Sequence, residues 1–353
     1  LPFEQAALRR DFTINAMGLD PLTGEIKDPF RGEYDLKEKI LRHVSTAFSE
    51  DPLRVLRGMQ FAARFSLQAH SKTIELCQKI ELEGLASERI FGEWKKLIIQ
   101  GVSISKGLNF LRQTKWLRFF PELQAMVDCP QDPIWHPEGD VWTHTLHCLD
   151  SFAKKRIGEE WEDLVVGLAV LCHDIGKPLT TKIGEDGRIR SPKHEPLGEE
   201  PTRNFLSRMT NQNDLIEQVV PLVRRHLAPR TFYNDQASDG AIRRLARQVI
   251  RIDRLVRVAD ADISGRPPRE DTFPEGPWLL KRSEDLKVQD SAPQPIIMGR
   301  HLIERGLTPS PDFSRILEKC FEAQLDGTFT EQQGGLQYLA SLLAEEHLSS
   351  SHQ

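Results

Sequence analysis

Apolar positions along this chain recur mostly at three- and four-residue steps, the spacing of helices with one buried face. Ile242, Leu245, Val249, Ile252, Val256 and Ala259 form the plainest such stripe and predict one amphipathic helix. A second stripe, Leu53, Leu56, Met59 or Gln60, and Ala63, starts just after Ser49-Glu50-Asp51-Pro52. Ser49 or Asp51 can cap that helix, and acids and proline suit its first turn. Period-two alternation is scarce. The candidate strand pair is 12–19 against 25–28, joined through a Pro21 to Gly24 turn.

Breaks rich in Pro, Gly and Asp fall near 128–139, 184–201, 264–277 and 290–295. They divide the chain into a short mixed head, a helical segment to about Leu123, a larger helical unit from His136 to Gly265, and a helical tail. The expected fold is therefore mainly α. No convincing internal repeat appears, and residues 349–353 are predicted to fray.

Composition narrows the class. The chain has 353 residues, 39% hydrophobic and 28% charged, which argues against wholesale disorder. It contains no run of ~18 apolar residues, so no membrane helix is expected. The start, Leu1-Pro2-Phe3-Glu4-Gln5, does not read as a signal peptide. The net charge of -5 gives no overall basic footprint, although phosphate contacts depend on local charge. The 5 cysteines are scattered without a C-x-x-C pair. That argues against a disulfide framework or zinc knuckle and fits a reducing cytoplasm.

Asp51 and Arg54, three apart at a helix start, project together. Asp accepts hydrogen bonds and Arg donates them. Cytosine and adenine each carry an amine beside a ring-nitrogen acceptor, so one such pair suits either base. Uracil and guanine present a carbonyl there and meet the carboxylate badly. The plain alternative is an ion pair closing a helix turn. Upstream, Arg9-Arg10-Asp11 and Asn15 suit triphosphate and ribose oxygens, or simply a charged strand edge.

A second constellation combines His136-Pro137-Glu138 and His144 with His173-Asp174-Ile175-Gly176-Lys177, His194, His226, and Asp260-Ala261-Asp262. Imidazoles and carboxylates converging from several helices suit a divalent metal that activates water. His144, His173, Asp174 and Asp262 form the strongest set, with Asp260 the competitor to Asp262. His147, His301 and His352 read as ordinary core or surface residues.

Two basic zones stand out. Arg243, Arg247, Arg251 and Arg254 are expected on one helix face, joined by Arg244 and Arg257, with only Asp253 opposing. Lys95, Lys96, Lys106, Arg112, Lys115 and Arg118 form the other, with Trp116 and Phe119 interleaved. Each is either an RNA phosphate contact surface or a solvated face.

The ordered segments 9–17, Asp28-Pro29-Phe30-Arg31-Gly32, 50–65 and Glu88-Arg89-Ile90-Phe91-Gly92-Glu93-Trp94 resemble the later motifs of class II nucleotidyltransferases. The likeness is to CCA-adding tRNA nucleotidyltransferases and the related bacterial poly(A) polymerases. It implies that Glu50, Asp51 and Arg54 template the incoming CTP or ATP, with Arg57 nearby. It also implies that Arg10, Asp11 and Asn15 hold sugar and phosphates, and that 88–94 brace the template helix. Asp28 to Arg42 would be a flexible region between palm and neck. The tail from Ile297 to Pro311 resembles the same family's C-terminal segment. The implied partners are tRNA, CTP and ATP, with neither DNA nor membrane.

The second constellation resembles the HD phosphohydrolase superfamily, whose ligand order is His…His-Asp…Asp. It implies metal ligands His144, His173, Asp174 and Asp262, a possible second metal at His194 and His226, and catalytic roles for Asp174 and Lys177. The metal would be Ni2+, Mn2+ or Mg2+, and the substrates phosphoesters such as 2′,3′-cyclic phosphates. The implied domains are a palm remnant (1–35), a neck and body binding nucleotide and tRNA (36–125), an HD domain (130–266) and a helical C-terminal segment (285–345). Proposed tRNA contacts are Lys95, Lys96, Arg112, Lys115, Arg243, Arg247 and Arg251.

One departure shapes the expectation. The family's Gly-Gly…Arg-Asp loop and its Asp-x-Asp strand for two Mg2+ ions have no counterpart before Arg9. Leu1 is therefore expected to be a cut through a catalytic domain, and the chain alone is expected not to add nucleotides. Open alternatives are a stand-alone HD phosphohydrolase with an RNA-binding region, an A-adding or poly(A) relative, a non-catalytic tRNA-binding protein, and an HD scaffold without turnover.

Overall fold

The computed structural model describes residues 2–266 and 272–350. Leu1, part of the break at 264–277, and the terminal 351–353 with His352 lie outside the described residues. Among the described residues the architecture is mainly helical, with three two-stranded ribbons of two residues per strand. The last helix is Gln332–Ser350. Among the described residues no helix is long and apolar enough to cross a membrane.

The chain forms two compact units. The first comprises 1–226 and 257–273. In its head, Gly18–Leu19 pairs antiparallel with Ile26–Lys27, so the expected hairpin exists only at its turn end. The rest of the predicted strand coils into a 3₁₀ turn, Thr13–Asn15. Side chains outcompete the ladder there. Asn15 Nδ2 donates to Asp11 Oδ1 at 2.7 Å, and Thr13 Oγ1 donates to Asp35 Oδ2 at 2.7 Å. Asp35 in turn accepts from Arg42 Nε at 2.9 Å, and Asp28 caps the backbone of Gly32 and Glu33 at 2.7 and 2.9 Å. The stretch from Asp28 to Arg42 is thus closely tied by hydrogen bonds.

The neck packs the helices Leu53–Phe65, Ser87–Gln100 and Ile104–Gln113 around Leu56, Met59, Trp94, Leu97 and Phe110. Trp116 belongs to this core: it is fully buried, and its Nε1 donates to the Cys77 carbonyl at 3.0 Å. Although interleaved with basic residues in the sequence, it packs inside the neck.

The helix Glu160–Cys172 is the axis of the metal-site region. Every residue from Leu164 to Cys172 is buried, which only a helix surrounded by others sustains. Val141–Lys154 and Asn213–Arg225 pack against it. Its apolar burial fixes where His173 and Asp174 emerge.

The second unit comprises 227–256 and 274–353. Here the stripe from Ile242 to Ala259 is two helices, Asp239–Val249 and Ile252–Ser264, not one. Ile250 takes a left-handed backbone (φ 67°), and the Ile252 and Asp253 amides donate to the Gln289 carbonyl at 2.9 and 3.2 Å. A distant carbonyl thus starts a new helix where periodicity alone would continue the old one.

The predicted arginine ridge fails with that break. Arg251 and Arg254 are not on the helix that carries Arg243 and Arg247. Arg244 and Arg247 pair with Glu322 and Glu318 at 2.8 and 2.9 Å, and Arg244 also meets Asp326 at 2.8 Å. Arg243 donates to the Leu325 carbonyl at 3.0 Å, and Arg251 pairs with Asp253 at 2.7 Å. The opposition comes from the helix Asp312–Leu325, not from Asp253 alone. Arg254 is buried, and Arg257, in the first unit, pairs with Asp163. A small separate core around Leu302, Ile316, Cys320 and Leu339 encloses His301, whose Nδ1 accepts from the Met298 amide at 3.0 Å.

Candidate nucleotide-reading and metal sites

The start of the helix Leu53–Phe65 gathers five of the seven predicted nucleotide-binding residues. Asp51 precedes it, and its Oδ1 accepts from the Leu53 amide at 3.1 Å. Arg54 does not pair with Asp51. Its Nη1 and Nη2 donate to the carbonyls of Ala47 and Arg9, at 2.5 and 2.8 Å. These bonds tie the helix to the head and fix the Arg54 guanidinium. One turn on, Arg57 forms an ion pair with Asp11, which is buried and also holds Asn15. Asp51, Arg54, Arg57, Asp11 and Asn15 are thus joined through two short networks. Glu50 and Arg10 are exposed beside them. Arg89, from the helix Ser87–Gln100, donates to Asp51 Oδ2 at 2.9 Å. Its position in the quoted 88–94 segment was visible in the sequence, but its partner was not.

The basic zone on the neck is partly neutralised. Lys95 Nζ meets Glu160 at 2.5 Å, Lys96 meets Glu93 at 2.8 Å, and Arg112 lies 3.5 Å from Asp128. Lys106 Nζ donates to the Ser66 carbonyl at 2.6 Å, and Lys115 is exposed. Arg118 meets Glu81 at 2.8 Å and lies over the Phe119 ring.

The metal site draws on five segments of the first unit. His144 lies on Val141–Lys154, which is capped by Asp140 through the Thr143 amide at 2.9 Å. His173 and Asp174 follow the end of Glu160–Cys172, His194 opens a short helix, His226 follows Asn213–Arg225, and Asp262 lies near the end of Ile252–Ser264. Gly176 permits the approach: a Cβ there would sit 2.1 Å from the His194 carbonyl oxygen. Asp260 points elsewhere and pairs with Lys155 at 2.7 Å, so Asp262 is the carboxylate in the cluster.

The imidazole tautomers follow from the hydrogen bonds. Nδ1 of His173, His194 and His226 each donates at 2.8 Å to a carbonyl three residues back, on Val170, Ser191 and Val223. His144 Nδ1 meets Glu138 Oε1 at 2.7 Å. In all four rings Nε2 is left facing inward; burial opposes protonation, yet Cys148 and Asp262 about His144, and Asp174 about His173, hold these two rings above the ordinary imidazole value. His144 and His173 then oppose each other Nε2 to Nε2 at 3.4 Å, and so do His194 and His226. Facing nitrogens of like character repel, and a cation between deprotonated Nε2 atoms removes that repulsion. Asp174 stands between the pairs, with Oδ2 3.3 Å from His173 Nε2 and Oδ1 3.4 Å from His194 Nε2. It is buried, yet neither oxygen accepts a well-formed hydrogen bond, although Lys177 Nζ lies 2.7 Å from Oδ2. Asp174 Oδ1, left without a hydrogen-bond partner, and the opposed imidazole nitrogens fit a divalent-metal site.

The charges are strongly coupled. Burial would raise the Asp174 carboxyl, but His173 and Lys177 outweigh it and hold it well below the usual range. Burial likewise opposes ionisation of Asp262, and Arg266, 2.6 Å away, with His144 reverses that. Burial, with His173 and His194 alongside, pushes His226 down to about 3. Glu138 is held at about 2, where hydrogen bonds from His136 and His144 overcome its burial. Lys177 Nζ also donates to Gln131 Oε1 at 2.7 Å. Sequence reasoning assigned no role to Glu138, Cys148, Gln131 or Arg266. Cys148 and Arg266 stand four residues after His144 and Asp262, a helical spacing visible in the sequence, whereas Glu138 and Gln131 are shown only by proximity in space.

Two domain families match. Residues 2–42 match the poly A polymerase head domain and 141–263 the HD domain. A multifunctional CCA protein of Xylella fastidiosa is 35% identical over 315 residues, covering 81% of this chain and 72% of that protein. The Acinetobacter baylyi multifunctional CCA protein is 33% identical over 305 residues, covering 81% and 71%. The chain belongs to the CCA-adding nucleotidyltransferase family. Members of this family are enzymes of tRNA processing, and this one carries an HD domain. Nucleotidyltransferase and HD domains both work with divalent metals. The fold agrees with solved CCA-adding enzymes. One in apo form gives a TM-score of 0.55 at 21% identity, covering 97% of this chain and 72% of that one. The Thermotoga maritima CCA-adding enzyme complexed with tRNA gives 0.51 at 20%, covering 97% and 74%.

Proposed function

We propose that this chain reads CTP and ATP and serves in adding CCA to tRNA 3′ ends. The observation that carries the reading is Asp51 with Arg54 at one helix start, each held in place from outside the pair. The carboxylate accepts from the base amine, and the guanidinium donates to the adjacent ring nitrogen. Arg57, Asp11 and Asn15 anchor the sugar and phosphate side, with Arg10 and Glu50 exposed next to them. Lys95, Lys96, Arg112 and Lys115 face the tRNA. Arg243, Arg247 and Arg251 contribute to RNA binding only by leaving their carboxylate partners. Mg2+ supports nucleotidyl transfer in this reading. The preference for CCA over A-only addition rests on the relatives' names. Equilibrium binding of the four nucleoside triphosphates to this chain tests the template.

A second activity is favoured by the facing Nε2 atoms. His144, His173, Asp174 and Asp262 hold one divalent metal, and His194 and His226, sharing Asp174, hold another. The metal, when bound, supplies an activated water and charge neutralisation at phosphorus. Lys177 lies beside Asp174 to bind a substrate phosphate oxygen, and Gln131 orients the Lys177 ammonium. Glu138 fixes the His144 tautomer, and Arg266 holds Asp262 ionised. The substrate class is phosphoesters such as 2′,3′-cyclic phosphates, with Ni2+, Mn2+ or Mg2+ as the metal. Hydrolysis of 2′,3′-cAMP across that metal panel tests it, and Asp174→Ala is expected to abolish turnover.

A further inference from the structure

The neck holds a cavity of about 310 Å³, apart from both sites described above. Its floor is apolar and buried, built from Ala62, Leu67 and Phe110. One wall is the helix Ile104–Gln113, which presents Lys106, Asn109 and Gln113 at three- and four-residue steps along one face. Gln68 and Ala69, the strand paired with Ile40–Leu41, also line the cavity. Among the described residues, the side-chain amides of Gln68, Asn109 and Gln113 make no hydrogen bond within the protein. Each offers donors and acceptors together. Lys106 is half-buried, and its Nζ donates to the Ser66 carbonyl at 2.6 Å. Among the described residues no carboxylate pairs with it, whereas Lys95, Lys96, Arg112 and Arg118 of the same basic zone each meet one. An ammonium has three N–H donors, so two remain for a ligand. The pull of a helix end accounts for an ammonium at Ser66, which follows Leu53–Phe65. It does not account for three amides gathered beside it around an apolar floor.

We infer that this cavity takes one unpaired nucleotide of an RNA strand, with its base against the apolar floor and its phosphodiester on Lys106. This rests on the tRNA reading proposed above and deepens it. Polar side chains read the hydrogen-bonding edge of an unstacked base, the usual way in which single-stranded RNA is recognised. One ammonium matches the single charge of a phosphodiester, while a free triphosphate calls for several cations. The volume lies at the small end of ligand sites and suits one base. Ala62 lies eleven residues beyond Asp51, about 16 Å along the helix axis. The base read by Asp51 and Arg54 is therefore a different one.

The test uses the full chain and an RNA hairpin with a short unpaired 3′ tail, carrying a fluorescent purine analogue at each tail position in turn. A blunt hairpin and the free analogue monophosphate are titrated in parallel. The expected result is that one tail position changes its emission on binding, and that the tailed hairpin binds more tightly than the blunt one. Lys106→Gln removes that change and weakens binding of the tailed hairpin by roughly tenfold, the scale of one charged hydrogen bond. Ala69→Leu, which fills the cavity from a partly exposed position, removes the emission change as well. Cross-linking of a photoactivatable uridine in the tail supplies a measurement independent of any variant, with adducts expected on residues 106–113 of the wild type. A signal that survives both variants, or bound RNA with no position-specific signal, overturns the cavity assignment while leaving the tRNA reading standing. Free monophosphate bound as tightly as the tail, with the same dependence on Lys106, overturns RNA as the source of the nucleotide. No RNA binding by the wild type overturns the tRNA reading itself, and this inference with it.

Discussion

Arg89 Nη2 donates to Asp51 Oδ2 at 2.9 Å across a sequence separation of 38 residues. The bond gives a second fixed partner to a half-buried carboxylate that already accepts from the Leu53 amide. It joins the helix Ser87–Gln100 to the nucleotide-reading residues and gives the 88–94 segment a physical task. Replacing Arg89 with Ala is expected to weaken CTP and ATP binding by roughly tenfold, the scale of one charged hydrogen bond of about 1.5 kcal/mol. Binding of UTP and GTP should change less. Titration calorimetry of both variants against the four nucleotides checks this.

Glu138 accepts from His144 Nδ1 at 2.7 Å and from His136 Nδ1 at 2.9 Å. It thereby holds the Nε2 lone pair of His144 toward the metal position. Glu138→Gln is expected to lower divalent-metal affinity by about 10–100-fold, the usual cost of losing such an outer partner. Competition with a chromogenic chelator measures the change, and unchanged far-ultraviolet circular dichroism confirms an intact fold.

Acid should unfold the metal-free protein through this same cluster. His226 titrates at about 3 in the folded chain against 6.5 when unfolded. Glu138 titrates at about 2 against 4.5. Both folded values are depressed, so the unfolded chain binds more protons at acid pH. The stability they contribute is complete above about 6.5 for His226 and 4.5 for Glu138. It is lost as pH falls toward the folded values. Urea midpoints should therefore decline steadily below pH 6.5, and Glu138→Gln should flatten the part of the decline below pH 4.5.

Arg247 meets both Glu318 and Glu322, at 2.9 and 3.1 Å. With its charge already matched, Arg247→Gln should leave the slope of log affinity for tRNA against log salt almost unchanged. Lys115→Gln, from an exposed site, should reduce that slope by about one phosphate contact. Filter binding across a salt series distinguishes the two.

These partners show what the sequence could and could not convey. The adjacent His173-Asp174 and the separated His144 and Asp262 were legible because a local motif marks them. The stripe from Ile242 to Ala259 read as one helix because neither Gly nor Pro interrupts it. The break at Ile250 is made by the Gln289 carbonyl, far along the chain. The arginine face looked free for the same reason: Glu318 and Glu322 lie more than 70 residues away. Trp116, interleaved with lysines in the sequence, lies in the core with its indole bonded to the Cys77 carbonyl, a partner 39 residues away. Cys148 read as one scattered cysteine because two of its buried neighbours, His173 and Asp262, come from other segments. Local chemistry was visible from spacing, and long-range pairing was not.

The nucleotide-reading role of Asp51 and Arg54 is tested most directly by equilibrium binding of CTP, ATP, UTP and GTP to this chain and to Asp51→Ala. A buried or mismatched polar group costs about 1–3 kcal/mol, so CTP and ATP should bind roughly tenfold to a hundredfold more tightly than UTP and GTP. Asp51→Ala should erase that preference while retaining phosphate-dependent binding. Equal affinity for all four nucleotides, or a preference that persists in Asp51→Ala, would contradict the account.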